Sequence, residues 1–84
     1  MSEQMVDVVG LVTVVVEPLI EHKESLEIIP SETSEGNILI ELNVHEEDVG
    51  KVIGRQGRVI KAIRTLARAA ASRMDAHVEV ELID

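Results

Sequence analysis

The chain has 84 residues and a formal net charge of −8 at pH 7, and it contains no Cys, Phe, Tyr or Trp. This length predicts one small domain over residues 1–84 with a core of Val, Ile, Leu, Ala and Met, and the missing cysteines exclude disulfides, zinc–thiolate sites and thiol catalysis. No apolar run approaches the roughly 20 residues of a membrane span, and the acidic N-terminus is unlike a signal peptide, so we expect a soluble, cytoplasmic protein.

Residues 4–21 are rich in valine, but their apolar side chains recur at the spacing of a helix. The predicted buried arc consists of Met5, Val8, Val9, Val12, Val15, Val16, Leu19 and Ile20. Pro18 lacks the N–H that would bond back to Val14, so it should kink or end the helix. Val6, Leu11 and Val14 lie off the arc, and we interpret them as scattered surface residues that a protein partner could nevertheless use.

Two strands are predicted next, on either side of a polar loop at 31–36. Leu26 and Ile28 alternate with Glu27 and Ile29 in a short strand that we expect Pro30 to end. The second strand has a clear period of two, and its apolar face comprises Ile38, Ile40, Leu42 and Val44.

Two helices and a closing strand complete the chain. Glu46, Glu47 and Asp48 fit the first turn of a short helix, where carboxylates favour the positive end of the dipole, and this helix stops at Gly54. A second helix is predicted from about Arg58, with a buried arc of Val59, Ile60, Ile63, Leu66, Ala67, Ala70 and Met74. Its other side carries Arg58, Lys61, Arg64 and Arg68. The alternating residues 77–82 then form a strand, which gives the order α-β-β-α-α-β.

The charges of the chain are segregated. Seven of the eight basic residues and none of the sixteen acidic residues lie between Lys51 and Arg73, so this segment carries +7 and the remainder carries −15. A cluster of cations produces a positive local potential even when the net charge of the protein is negative. The distribution therefore predicts one segment that attracts phosphate groups in a molecule whose remaining surface repels them.

The segment Gly54-Arg55-Gln56-Gly57 joins the two predicted helices without room for a conventional loop. Glycine at both ends allows positive φ, and the free N–H groups of the second helix point at the loop. Phosphodiester oxygens suit such a site, and Arg55 and Arg58 add charge. The same spacing fits a plain corner between helices with glycine as a C-cap, and spacing alone does not decide between the two interpretations.

Residues 52–63 read Val-Ile-Gly-Arg-Gln-Gly-Arg-Val-Ile-Lys-Ala-Ile, which resembles the Val-Ile-Gly-x-x-Gly-x-x-Ile-x-x-Ile signature of KH domains. The element order resembles the type II arrangement of that family, and nearly the whole chain resembles the small bacterial single-KH proteins of the KhpA type. This resemblance implies an α+β, type II KH-like fold, in which a three-stranded sheet carries helices on one face.

The resemblance also implies a non-enzymatic protein that binds single-stranded RNA and acts in post-transcriptional regulation or as an RNA chaperone. In KH domains the Gly-x-x-Gly loop clamps the backbone while about four nucleotides lie in an adjacent apolar groove. Carried over to this chain, the RNA-binding residues are Gly54, Arg55, Gln56, Gly57, Arg58, Lys51 and Lys61. Ile53, Val59 and Ile60 are groove or core residues, and for Ile53 we favour the core. Arg68 and Arg73 are interpreted as solvated charges.

A second function, a protein-interaction module, also follows from the resemblance. Its partner would be a second copy of the chain, giving a homodimer, or another KH-containing protein, giving a heterodimer. Catalysis and metal binding have little support, because His22, His45 and His77 lie in three different parts of the chain without the spacing of metal ligands. We therefore predict no catalytic residue, no metal site and no cofactor.

Overall fold

The computed structural model describes residues 3–83, and residues 1, 2 and 84 of the predicted domain lie outside the described residues. The helices are α1 (Glu3–Val16), α2 (Val49–Ile53) and α3 (Arg58–Ser72), and the strands are β1 (Glu27–Glu32), β2 (Ile38–Asn43) and β3 (Val78–Ile83). The predicted order is confirmed, as is the α+β, type II KH-like architecture. No helix within the described range has the length and apolar character needed to cross a bilayer.

The sheet is mixed and has the order β1-β2-β3. β1 pairs antiparallel to β2, with Ile28 opposite Leu42, whereas β3 pairs parallel to β2, with Val80 beside Ile40. The predicted period of two in β2 is confirmed, because alternate residues are buried against the helices: Ile38, Ile40, Leu42 and, just after the strand, Val44.

Pro30 does not end the first strand as predicted. It lies inside β1 opposite Ile40, and the strand continues to Glu32. β1 is an edge strand with a hydrogen-bonding neighbour on one side only, so a residue without an N–H is tolerated there. The chain instead reverses after β1, where Thr33 Oγ1 accepts hydrogen bonds from the N–H groups of Asn37 (3.1 Å) and Glu35 (3.3 Å).

Helix α1 buries the predicted face. Its most deeply buried residues are Met5, Val8, Val12 and Val16, followed by Ile20 just beyond the helix. The α-helix ends at Val16 and continues as a single 3₁₀ turn over Glu17–Leu19 that contains Pro18, so the prediction that proline ends the helix is confirmed.

The predicted buried arc of α3 is wrong at Leu66, whose exposed fraction is 46%. The buried positions are Ile60, Ile63, Ala67 and Ala71. Consecutive residues of an α-helix are rotated by about 100°, so the face centred on Ala67 turns Leu66 towards solvent. Arg64 is also not purely solvated, because it is half-buried and its Nε donates to the carbonyl oxygen of Val80 at 3.0 Å.

Candidate nucleic-acid interface

A tight turn joins α2 to α3 at the Gly-x-x-Gly segment. Gly54 has φ 76° and ψ 172°, Gln56 has φ 57°, and Gly57 has φ 72° and ψ 17°. The N–H of Gly54 bonds to the carbonyl oxygen of Gly50 at 2.9 Å, and the N–H of Gly57 bonds to that of Gly54 at 3.1 Å. Three residues with positive φ in four positions therefore form a tight turn that leaves Arg55 and Gln56 exposed.

The two glycines of this turn are required for different reasons. A Cβ at Gly54 would lie 2.8 Å from Val59 Cβ and 2.9 Å from Val59 N, so the backbone can approach α3 only without a side chain. A Cβ at Gly57 would meet nothing closer than Lys61 Cε at 3.8 Å. Gly54 thus provides close packing and a backbone conformation open almost only to glycine, whereas Gly57 provides the left-handed conformation alone.

The N-terminus of α3 faces this turn. Gly57 is its N-cap residue, and no side chain caps the helix. The first N–H groups of a helix have no partner within the helix, and the positive end of the macrodipole adds to their attraction for an anion. A helix of this length that begins directly behind an exposed glycine turn can therefore accept a phosphate oxygen.

The predicted RNA-binding cations around the turn differ in whether their side chains already have hydrogen-bonding or ion-pair partners. Among the described side chains, Arg55 and Lys61 are exposed and take part in no hydrogen bond or ion pair. Arg58 donates from Nη2 to Gln56 Oε1 at 3.0 Å, a neutral partner that leaves its charge uncompensated. The full charge of these three side chains is therefore available beside the turn.

Lys51, by contrast, is already paired with carboxylates. Its Nζ lies 2.9 Å from Glu21 Oε1 and 3.5 Å from Asp48 Oδ1. The hydrogen bond to Glu21 raises the pKa of Lys51, so the ammonium form is favoured. A phosphate could contact this side chain only in competition with two resident carboxylates.

Asp48, which the sequence assigned only to a helix start, is fully buried. Its Oδ1 accepts from the backbone N–H of Glu21 at 3.0 Å, and its Oδ2 accepts from that of His22 at 2.9 Å. Burial alone would raise the pKa of Asp48, but these two hydrogen bonds, together with Lys51, outweigh burial and leave the pKa lowered. The carboxylate therefore ties the segment after α1 to the start of α2, beside the candidate interface.

The three aliphatic residues near the turn divide into core and surface. Ile60 is 7% exposed and belongs to the core, while Ile53 and Val59 pack against the core and remain partly exposed. Ile53 and Val59 therefore supply apolar surface next to the turn, and Ile53 packs on the core as favoured without being fully buried.

The remaining cations of the basic segment lie farther along α3. Arg68 Nη2 is 3.0 Å from Glu79 Oε2, and Arg73 follows the last residue of the helix. At about 1.5 Å per residue, Arg73 is roughly 24 Å from Gly57. Arg68 and Arg73 therefore lie outside the turn that the other cations surround.

The three histidines lie in different parts of the sequence, but the fold brings two of them together. The rings of His22 and His45 are stacked, with centroids 3.9 Å apart and planes inclined by 21°. They meet because Asp48 holds the backbone of His22 against the segment that begins at His45, a contact between distant parts of the sequence. His77 is exposed and lies just before β3.

Comparison with known proteins identifies the family. The model of the family described as KhpA/KhpB, KH domain, matches residues 10–82. The chain is 43% identical over 74 residues to the RNA-binding protein KhpA of Listeria monocytogenes, covering 88% of this chain and 96% of the relative. It is 42% identical over 74 residues to the RNA-binding protein KhpA of Bacillus subtilis, covering 88% and 90%.

A solved structure shows the same fold in a longer protein. Aquifex aeolicus Era, in a variant bound to GDP and aluminium fluoride, superposes with a TM-score of 0.59 at 15% identity, covering 99% of this chain. The match spans 33% of the Era chain, so it concerns the fold alone. Since the family model covers most of the chain and the KhpA relatives match over nearly their whole length, this chain belongs to the KhpA/KhpB family of KH domains.

Proposed function

We propose that this protein binds single-stranded RNA through the turn at Gly54–Gly57 and the first turn of α3. The observation that carries the proposal is the uncapped N-terminus of α3 behind an exposed Gly-x-x-Gly turn. The free cations Arg55 and Lys61 beside it support the proposal, as does the printed name of the relatives, RNA-binding protein KhpA.

In this proposal the RNA backbone and the bases are held by different parts of the interface. One or two phosphates lie against the N-terminus of α3, with Arg55, Arg58 and Lys61 supplying charge. The bases then lie over the partly exposed Ile53 and Val59. The chain has no aromatic residue, so bases are bound by apolar contact and by hydrogen bonds to their edges rather than by stacking on rings.

The acidic remainder of the molecule limits the length of RNA that it holds. Outside the segment from Lys51 to Arg73 the chain carries −15, which repels phosphates beyond the turn. A short contact of this kind suits a protein that acts on many transcripts, in post-transcriptional regulation or as an RNA chaperone. A protein that binds cellular RNA in this way would act in the cytoplasm.

The double substitution Arg55→Asp with Gln56→Asp tests the assignment. Both side chains are exposed, and aspartate tolerates the positive φ of Gln56, so the fold should persist. We expect affinity for a short labelled RNA to fall at least about 100-fold, because a charge-assisted contact is lost and two carboxylates repel the phosphate. Fluorescence anisotropy at one fixed salt concentration measures the loss, and circular dichroism checks the fold.

A control variant with the same change in net charge distinguishes the loss of a local phosphate contact from a general electrostatic repulsion of RNA. Ser72→Asp with Arg73→Asp also adds three negative charges, but at the far end of α3, roughly 24 Å from Gly57 by helical rise. We expect this variant to bind within about threefold of the parent, a small change in free energy. Equal loss in both variants would point to net charge alone, and unchanged binding in the loop variant would refute the clamp.

A second candidate function, dimerisation, is favoured by exposed apolar residues on α1. Val6 and Val14 are 53% and 69% exposed, and with Gly10 between them they lie on one side of the helix at a spacing of four. The partner would be a second copy or another KH-containing protein. Light scattering at several concentrations, with and without RNA, discriminates: a stable dimer that RNA does not shift would favour this function over the first.

A further inference from the structure

We propose that His22, His45 and Glu47 form a binding site for a divalent transition-metal ion, with Zn²⁺ as the best-suited ion. One ligand atom from each of the three residues lies within 4.8 Å of the others. This site is separate from the glycine turn and does not depend on RNA binding.

The donor set fits zinc in particular. Two imidazole nitrogens and one carboxylate oxygen are ligands that Zn²⁺ takes at about 2.0–2.2 Å, with water in a fourth, open position. Hard ions such as Mg²⁺ prefer oxygen ligands throughout, so they should bind this set poorly. The exposed fractions of the side chains, 31% for His22, 32% for His45 and 68% for Glu47, give an ion direct access from solvent.

The distances already approach those of a metal complex. Glu47 Oε1 lies 3.1 Å from His22 Nε2 and 3.7 Å from His45 Nδ1. Two ligands of a tetrahedral zinc ion are about 3.3–3.4 Å apart, given bonds of about 2.0–2.1 Å. The stacked rings do not share a plane, so binding requires one imidazole to turn about its Cβ–Cγ bond, and the partly exposed side chains leave room for this.

A second carboxylate orients His22 for this role. Glu24 Oε1 lies 3.4 Å from His22 Nδ1, on the opposite side of the ring from Glu47. When an ion binds Nε2, the proton of the neutral ring lies on Nδ1, 3.4 Å from the Glu24 carboxylate. Histidines that bind metals commonly donate their other N–H to a carboxylate in this way, which fixes the tautomer and increases the basicity of the ligand.

The backbone that carries the ligands is fixed by other interactions. Asp48 accepts from the N–H of His22 at 2.9 Å, and His45 Nδ1 accepts from the N–H of Glu47 at 3.1 Å. The two segments therefore meet without a metal ion, and binding needs to order only side chains. Coordination through His45 Nδ1, which lies 3.7 Å from Glu47 Oε1, would replace the hydrogen bond from Glu47 N, while the N–H of Asp48 still bonds to the carbonyl oxygen of His45 at 2.8 Å.

Untagged protein titrated with Zn²⁺ by calorimetry, and with Co²⁺ by visible absorption, tests the site. We expect one ion per chain and affinity reduced at least about tenfold in His22→Ala and in Glu47→Gln, because each removes a ligand. His77→Ala is the matched control, since His77 lies outside the cluster, and it should bind as the parent does. In NMR spectra, Zn²⁺ should shift the ring signals of His22 and His45 and leave those of His77 in place.

Thermal melting followed by circular dichroism adds a readout that does not depend on spectroscopy of the ion. Zn²⁺ should raise the Tm of the parent and of His77→Ala, but not that of His22→Ala, since only an ion bound to the folded state stabilises it. The proposal is overturned if no stoichiometric binding occurs, if His22→Ala and Glu47→Gln bind as tightly as the parent, or if equimolar Mg²⁺ displaces the ion. The last result would indicate diffuse attraction by the acidic surface.

Discussion

Replacing Gly54 with alanine is expected to lower the free energy of unfolding by about 3–5 kcal/mol, from backbone strain and overpacking together. The strain arises because φ 76° with ψ 172° is open almost only to glycine. The overpacking arises because the new Cβ would overlap the side chain and backbone nitrogen of Val59 at the start of α3. A domain of this size is stable by only about 4–13 kcal/mol, so the variant should be largely or wholly unfolded under mild denaturing conditions.

Gly57→Ala is the matched comparison for this substitution. It adds the same methyl group in the same turn, but its nearest neighbours are at ordinary contact distances, and only the left-handed conformation is unfavourable. We expect a loss of about 1–2 kcal/mol. Urea unfolding followed by far-ultraviolet circular dichroism is the suitable measurement, because the chain has no Trp or Tyr for fluorescence. Equal losses in the two variants would contradict the close approach of Gly54 to Val59.

The elements that periodicity determines were predictable from the sequence. The arc of α1 and the alternation in β2 each bury one continuous face, so local spacing carries the whole signal. The errors occur where burial depends on a distant neighbour. The sequence around Pro30 does not show that β1 is an edge strand, where proline is tolerated. In α3, the buried Ala67 and Ala71 are less hydrophobic than the exposed Leu66, so the hydrophobic pattern indicates the wrong face there.

In the candidate site, too, local features were predictable from the sequence and long-range contacts were not. The positive φ values of Gly54 and Gly57 and the free N-terminus of α3 were predictable from the motif, whereas the positive φ of Gln56 was not. The pairing of Lys51 with Glu21 and the stacking of His22 on His45 join segments far apart in the sequence. Both contacts depend on Asp48, and a carboxylate near a helix start gives no local sign of burial.

Asp48→Ala is therefore expected to be the most destabilising substitution of an acidic residue among those the structure describes. It leaves the partly buried N–H groups of Glu21 and His22 without their acceptors and removes a fully buried carboxylate from the core edge. We expect the Tm to fall on the order of 10 °C, measured by circular dichroism with EDTA present to exclude metal effects. Asp48→Asn should cost less, since its amide oxygen still accepts from one of the two groups.

Glu46→Ala is the control for this loss. Glu46 is an exposed acid in the same short 3₁₀ helix, Glu46–Asp48, and its side chain makes no hydrogen bond or ion pair with the described residues. A surface substitution of this kind should change stability by less than about 0.5 kcal/mol. If Glu46→Ala and Asp48→Ala lowered the Tm equally, the effect would belong to the charge at the helix start rather than to the hydrogen bonds that Asp48 accepts.

The dependence of stability on pH distinguishes the charge of Asp48 from its shape. The pKa of Asp48 is lowered in the folded state from 3.8, its value in a solvated chain, because hydrogen bonds from Glu21 and His22 favour the ionised form in spite of burial. Its contribution to stability is therefore complete above the unfolded pKa and is lost as the pH falls through the folded pKa. The parent should consequently be more stable than Asp48→Asn at neutral pH, and this difference should shrink as the pH falls from about 5 to about 2.

Urea unfolding at several pH values measures this difference in stability, and the effects of the carboxylates common to both proteins largely cancel in it. A gap between the two proteins that stays constant down to the lowest pH would show that Asp48 acts through packing and not through its charge.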